Sequence, residues 1–233
     1  MNAVPGTRHD RRRARTRAAI LDAAERLFVS EGYGGARIEA IAEAADVAVG
    51  SIYAHFGSKD GLWSALAERA LEHFDRYMEQ AYQGEWSPLE QVIAGGDAYL
   101  RFHAEHPGSF RFLAFDGEQA RLPVGDPELA ARVIERMAGT LARFQAKIAE
   151  AMAAGEAIDG DARLHARFLW AAWNATVALS VRGDELALTD AEVEACLQQA
   201  RGLVLEGLSA PAFRGPDGRS RGRLVRVSSP PED

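Results

Sequence analysis

The sequence predicts an all-α protein in which an N-terminal helix-turn-helix domain precedes a larger helical domain. Apolar residues recur at helical spacing along the chain, as at Ile38, Ile41 and Ala42, and no stretch alternates with the two-residue period of a strand. Asp126-Pro127 has the form of a helix start, with Pro at the first helical position. With 233 residues, 47% of them hydrophobic, the chain suits one or two folded domains.

The N-terminal segment combines a flexible stretch with a predicted helix. Residues 1–15 are expected to be a disordered basic arm, because Pro5-Gly6 is followed by a cluster of arginines. An apolar stripe that includes Ile20, Leu21 and Phe28 predicts the first helix from about Thr16 to Ser30. This helix would brace the segment that follows it.

Residues 38–62 have the pattern of two short helices joined by a tight turn. Asp46-Val47 interrupts one apolar stripe, and a second stripe begins on a new axis with Ile52 and Phe56. The second helix leaves small or hydrogen-bonding residues unburied and no acidic ones, so it can approach a phosphate backbone. This is the helix-turn-helix plan for reading a DNA major groove. Ser58 is the predicted N-cap of the next helix.

This arrangement resembles the TetR family of bacterial transcriptional regulators over residues 16–65. The resemblance rests on Ile38-Glu39-Ala40-Ile41-Ala42, Val47, Gly50-Ser51-Ile52-Tyr53, His55-Phe56 and Ser58-Lys59-Asp60-Gly61-Leu62. It implies that Ser51 and Tyr53 contact DNA and that His55 and Lys59 hold phosphates. Three arginines and the first residues of the second helix are added to these four. The predicted DNA-binding residues are therefore Arg15, Arg17, Arg37, Val49, Gly50, Ser51, Tyr53, His55 and Lys59.

Three residues depart from the family pattern. Asp46 stands where Gly is usual, and Asp tolerates a left-handed backbone better than most residues, so we expect the turn to form. Ala48 stands where Ser or Thr usually caps the recognition helix. Val49 replaces a polar or basic residue, and its apolar side chain would allow contact with a thymine methyl.

Residues 63–210, after the DNA-binding domain of 16–62, are predicted to form a helical ligand-binding and dimerisation domain. Gly95-Gly96 are expected to weaken one of its helices. The helix around 161–181 is apolar on more than one face, and Trp170–Asn174 resemble the penultimate helix of family members, where the resemblance implies dimerisation. We therefore expect a homodimer through about 161–208. The tail, 211–233, is rich in Pro, Gly, Arg and Ser and is predicted to be disordered.

The resemblance also implies a small-molecule cavity between the helices of 63–181. Taken alone, aromatic residues at helical spacing are more often core. The cavity is expected to favour apolar or aromatic effectors, with two polar residues orienting them. The candidate ligand-binding residues are Phe102, His103, Phe112, Met137, Phe144, Trp173 and Asn174.

The distribution of charge bears on the binding partner of the protein, and its cysteine content bears on the compartment. Residues 61–210 hold thirteen Lys/Arg against twenty-three Asp/Glu, whereas the arginines cluster near the N-terminus, so one end of the protein is expected to meet DNA. The single cysteine, Cys196, excludes an intrachain disulfide, favours a reducing compartment and is predicted to be a small core residue. Without an apolar signal core or a membrane span, a cytoplasmic protein is expected.

The sequence predicts a ligand-responsive DNA-binding regulator, with repression as the preferred direction. It contains no nucleophile elbow, phosphate loop or nucleotide fingerprint, so neither an enzyme nor a cofactor is expected. His103 and His106 lie three residues apart, but we expect no metal there. Two alternatives stay open: an enzyme or ligand carrier that uses the helix-turn-helix only for packing, and a non-specific DNA-binding protein, which the acidic body disfavours.

Overall fold

Eight α-helices form the regular structure of the residues that the computed structural model describes, which are 7–82, 85–106, 108–109, 127–179 and 184–230. No strand occurs among them, in agreement with the predicted all-α class. The helices are α1 (Arg8–Gly35), α2 (Ile38–Ala44), α3 (Val49–Phe56), α4 (Lys59–Gln80), α5 (Pro88–Glu105), α6 (Pro127–Ala153), α7 (Ala162–Ala178) and α8 (Asp190–Leu208), followed by a short 3-10 helix, Pro211–Phe213.

The chain divides into two units. The first contains residues 1–70 and 108–131, and the second contains residues 71–107 and 132–233. Helix α4 contributes residues to both units, since the division falls within it. None of the described helices combines the length and apolar composition that a bilayer-spanning segment requires.

Helix α1 begins earlier than the sequence analysis predicted. Residues 8–15 were expected to be disordered, but they are helical because Thr7 and Asp10 form a capping box. The Asp10 backbone N–H donates to the Thr7 hydroxyl at 3.2 Å, and the Thr7 backbone N–H donates to the Asp10 carboxylate at 2.9 Å. The arginines of the predicted arm therefore stand on a helix, with their side chains exposed.

Helix α5 is the centre of the second unit. Every residue from 89 to 100 is buried, and the helix packs on α8. Ser87 caps its N-terminus through the Glu90 backbone N–H, and Pro88 takes the first helical position. The helix runs through Gly95 and Gly96 without interruption. Both have aromatic rings packed directly against them.

The C-terminal tail also differs from its prediction. Residues 221–230, which we call the C-terminal strap, lie against α5 and α8. Arg223 donates to the Glu90 carboxylate from its backbone N–H at 3.1 Å and from Nε at 2.7 Å. Val227 is buried, and its N–H donates to Asp97 Oδ2 at 2.7 Å. This tail of low hydrophobicity is ordered because the buried carboxylates of α5 accept hydrogen bonds from its N–H groups.

A buried ion pair joins α5 to α8 beneath the strap. Asp97 Oδ1 lies 2.7 Å from Arg201 Nη1, and the two residues are 2% and 4% exposed. Arg201 also donates to the Val225 carbonyl. Two buried charges of opposite sign are tolerated here because each has a partner and further hydrogen bonds.

We predict that Asp97→Ala lowers the free energy of unfolding by about 3–5 kcal/mol, because Arg201 would stay buried without its counter-charge. Urea unfolding followed by circular dichroism measures this change. The matched control is Lys147→Ala on α6, which removes a more exposed pair with Glu150 and should cost less than about 1 kcal/mol. Equal losses in the two variants would contradict the role given to the buried pair.

Candidate DNA-binding surface and ligand cavity

The turn between α2 and α3 has the left-handed geometry that the sequence analysis predicted. Asp46 has φ 53°, and it is the one non-glycine residue with positive φ in the described part of the chain. The Val47 N–H donates to the Ala42 carbonyl at 3.0 Å and closes the turn. Ile41 and Ile52 are fully buried and hold the two helices against the rest of the unit.

Helix α3 presents a nearly neutral surface. Ile52 is its buried residue, whereas Gly50 and Tyr53 are exposed, Tyr53 by 51%. Val49 and Ser51 are half-buried. Ala48 is the N-cap and makes no side-chain hydrogen bond, so backbone N–H groups at this end of α3 lack a capping side chain. A phosphate oxygen could occupy that position.

Lys59 is positioned by aromatic rings at the start of α4. Its Nζ lies 4.6 Å from the centre of the Tyr33 ring and 5.9 Å from that of Phe28. The Tyr33 hydroxyl donates to Asp60, and burial together with this hydrogen bond raises the pKa of Tyr33 to about 12. Phe28 was predicted only as part of the apolar stripe of α1, and Tyr33, near the end of the same helix, was not predicted.

A second cationic group lies beside the C-terminal end of α3. The Arg17 guanidinium stands 5.4 Å from the centre of the Phe56 ring. Burial lowers the pKa of His55, and the positive charges of Arg13 and Arg17 lower it further. The lowered pKa favours the neutral imidazole, which can hold a phosphate only through an N–H group. Arg13, which the sequence analysis did not select, belongs to this group.

Two of the predicted DNA-binding arginines lie apart from this group. Arg15 follows Arg13 by two residues and precedes Arg17 by two, so helical geometry places it on the other side of α1. Arg37 is the N-cap of α2, and its Nε lies 3.8 Å from the Glu39 carboxylate, with both side chains exposed. The structure thus brings together Arg17, His55 and α3, but not Arg15.

The second unit contains a small apolar cavity that is open to solvent on one side; the space between its lining atoms is about 350 Å³ when the open solvent at its mouth is counted. Three of the predicted ligand residues, Met137, Phe144 and Trp173, line it. The other described lining residues, which the sequence analysis did not select, are Phe74, Met78, Gly95, Tyr99, Thr140, Leu141 and Trp170.

The remaining ligand predictions do not fall on the described lining. Phe102 packs edge-on against Phe74 and Tyr77 in the core. His103 is buried elsewhere, and burial lowers its pKa despite the charge of Asp190. Asn174 accepts from the Tyr99 hydroxyl at 3.0 Å and donates to the Trp170 carbonyl at 2.8 Å. Its amide is therefore used within the protein. Phe112 lies outside the described residues.

The core prediction for Cys196 is wrong because the buried stripe of α8 runs through Val193, Leu197 and Arg201, and Cys196 lies beside that stripe, exposed. Among the described residues, no three His, Cys, Asp or Glu side chains are grouped to hold a metal ion.

Comparisons with known proteins agree with this geometry. Residues 20–66 match the family model described as bacterial regulatory proteins, tetR family. The transcriptional activator FasR of Mycolicibacterium smegmatis is 30% identical over 50% of this chain, which spans about half (51%) of FasR. The transcriptional regulator TcmR of Streptomyces glaucescens is 29% identical over 73% of each chain. The ketosteroid regulator KstR2 of Mycobacterium tuberculosis shares the fold, with a TM-score of 0.66 at 20% identity over 83% of this chain and 94% of its own.

We predict that Ala48→Ser raises the free energy of unfolding by about 0.5–1 kcal/mol, because serine would supply the side-chain cap that α3 lacks. Chemical denaturation of the full chain measures the change. Ala54→Ser, an exposed position within the same helix, is the control and should be slightly destabilising. A loss of stability in Ala48→Ser as large as in the control would contradict this assignment of the cap.

Proposed function

Since this chain belongs to the TetR family of bacterial regulatory proteins, we propose that it is a cytoplasmic, ligand-responsive transcriptional regulator, a binding protein rather than an enzyme. It binds a palindromic operator as a homodimer and is released by a small apolar or aromatic effector. Repression is the direction we propose. FasR, a relative named as an activator, gives activation as the second candidate.

The observation that carries the proposal is the exposed, acid-free surface of α3 with cations beside it. Tyr53 and Gly50 are free to meet base edges, and the half-buried Ser51 adds a hydroxyl. Lys59 and Arg17, each placed over an aromatic ring, would contact the phosphates on either side. Phosphate contacts would fix the position of the protein, and the residues of α3 would supply the sequence preference.

The proposed dimer uses α7 and α8. Helix α7 exposes Phe168 by 73% and Leu164 by 61%, and α8 exposes Leu203. Large apolar residues exposed next to each other on a helix surface favour burial against a partner. A two-fold dimer is also what two half-sites of a palindrome, about 34–36 Å apart, would require.

The proposed effector acts by shifting a population. Helix α4 carries Lys59 at one end and the cavity-lining residues Phe74 and Met78 further along. A ligand that binds better to a form in which the two recognition helices are wrongly spaced would draw the protein away from DNA. A ligand with equal affinity for both forms would have no effect.

We predict that the double variant Tyr53→Ala, Lys59→Ala no longer shifts, in a gel, a palindromic DNA taken from the promoter region next to the gene for this protein. In the single variant Lys59→Ala, the slope of log affinity against log salt should fall by about 0.9 for each half-site, because one phosphate contact is lost. Arg219→Ala, on the exposed tail, is the matched loss of a cation and should leave the slope unchanged. Binding that persists unchanged in the double variant would refute the assignment of the DNA-binding surface.

We predict that Phe168→Asp converts the protein to a monomer in light scattering at micromolar concentration, because a charge at the proposed interface cannot be buried without a partner. Ile134→Asp on α6 places the same charge at a comparably exposed apolar residue outside 161–208 and should leave the mass unchanged. A wild-type protein that is monomeric at this concentration would contradict the proposed dimer.

A further inference from the structure

Two adjacent glycines lie in the middle of α5, where they are unfavourable for the helix. Gly95 and Gly96 are buried, and each costs a helix interior roughly 1 kcal/mol relative to alanine. Neither has a left-handed backbone, so the conformational freedom of glycine is not needed here. A compensating benefit must therefore come from the space that a missing side chain leaves.

Aromatic rings fill that space. A Cβ atom at Gly95 would lie 3.3 Å from Cδ2 and Cε2 of Phe144, and one at Gly96 would lie 3.0 Å from Cζ2 of Trp173. Both distances are shorter than ordinary carbon–carbon contacts. Phe144 and Trp173 both line the cavity, with ring centres 5.3 Å apart. An added methyl group would require the neighbouring ring to shift by a few tenths of an ångström, which would change the shape of the cavity.

The described lining of the cavity offers flat apolar surfaces and no charged side chain. None of its described lining residues is acidic or basic. The Tyr99 hydroxyl donates to Asn174, and the Thr140 hydroxyl donates to the Arg136 carbonyl, so both are used within the protein. The nearby guanidinium of Arg143 stacks on the Tyr82 ring at 4.3 Å, and neither residue belongs to the described lining. An anion in this cavity would lose its hydration without gaining a counter-charge.

We propose that the cavity binds an uncharged, flat aromatic molecule, and that Gly95 and Gly96 determine its specificity by letting Phe144 and Trp173 lie against α5. Aromatic ligands stack well on such rings, whereas a saturated ring system of the same size is thicker. Carboxylates and phosphate-bearing conjugates are disfavoured as ligands, because the described lining residues offer them no counter-charge. This inference rests on the proposed function in one respect only, namely that the molecule bound in the cavity is the effector.

Three small probes of similar size test the ligand class by equilibrium dialysis against the full-length protein. 2-Naphthol is flat and neutral at pH 7, 2-naphthoate is flat and anionic, and 2-decalol is neutral but not flat. We expect 2-naphthol to bind at least tenfold more tightly than either of the others. Failure of 2-naphthol to bind, or equal binding of 2-naphthoate, would overturn the proposal.

Variants at the glycines test the specificity residues. Gly95→Ala and Gly96→Ala should each weaken 2-naphthol binding at least fivefold while the protein still unfolds cooperatively. Gly139→Ala on α6 is the matched control, because a Cβ atom there would meet nothing within 4 Å, and it should leave binding unchanged. If Gly96→Ala does not fold, Gly95→Ala, with the milder contact, decides the question. Wild-type affinity in a folded Gly95→Ala variant would overturn the role of the glycines.

The test of the ligand class can be separated from a test of the proposed regulatory function. Dialysis reports binding to the cavity without DNA, and a gel shift with and without 2-naphthol reports release from the operator. Binding without release would contradict the link between cavity and DNA and leave the ligand class in place. Operator binding without any 2-naphthol binding would contradict the ligand class and leave the DNA-binding function in place.

Discussion

The enclosure of helix α5 is the constraint on which the second unit depends. Its residues from 89 to 100 are all buried, so their polar side chains must find partners within the protein. On one side Gly95 and Gly96 accept aromatic rings from α6 and α7. At other positions Glu90 and Asp97 accept donors from α8 and the C-terminal strap. One helix therefore forms a wall of the cavity and also anchors the tail.

In the DNA-binding unit, the residues that fix the fold are different from the residues that would read the DNA sequence. Buried isoleucines and a left-handed turn at Asp46 set the angle between α2 and α3, whereas the surface of α3 is small and weakly polar. The cations lie at the margins of that surface, and aromatic rings hold two of them, Lys59 and Arg17. Such an arrangement lets phosphate contacts supply affinity, and a few residues of α3 then decide the sequence that is read.

Patterns local in the chain were predictable, and pairings between distant segments were not. The helical period, the Ser58 cap of α4 and the turn at Asp46 depend on neighbours within a few residues, and the structure contains all three. The order of the strap depends on Glu90 and Asp97, more than a hundred residues away, and composition alone gave no sign of them. The cavity shows the same limit: the family resemblance led to Phe102, Phe144 and Trp173 alike, but Phe144 and Trp173 line the cavity whereas Phe102 packs in the core.

Selection of bound duplexes from a random pool, followed by footprinting of the selected sequence, tests the central claim most directly. The full-length protein, with its exposed α3 and proposed two-fold dimer, should enrich one palindrome whose half-sites lie about one helical turn, or a multiple of it, apart. Both half-sites should be protected together. Enrichment of no sequence, with binding that only falls steeply as salt rises, would contradict the account and identify a non-specific DNA-binding protein.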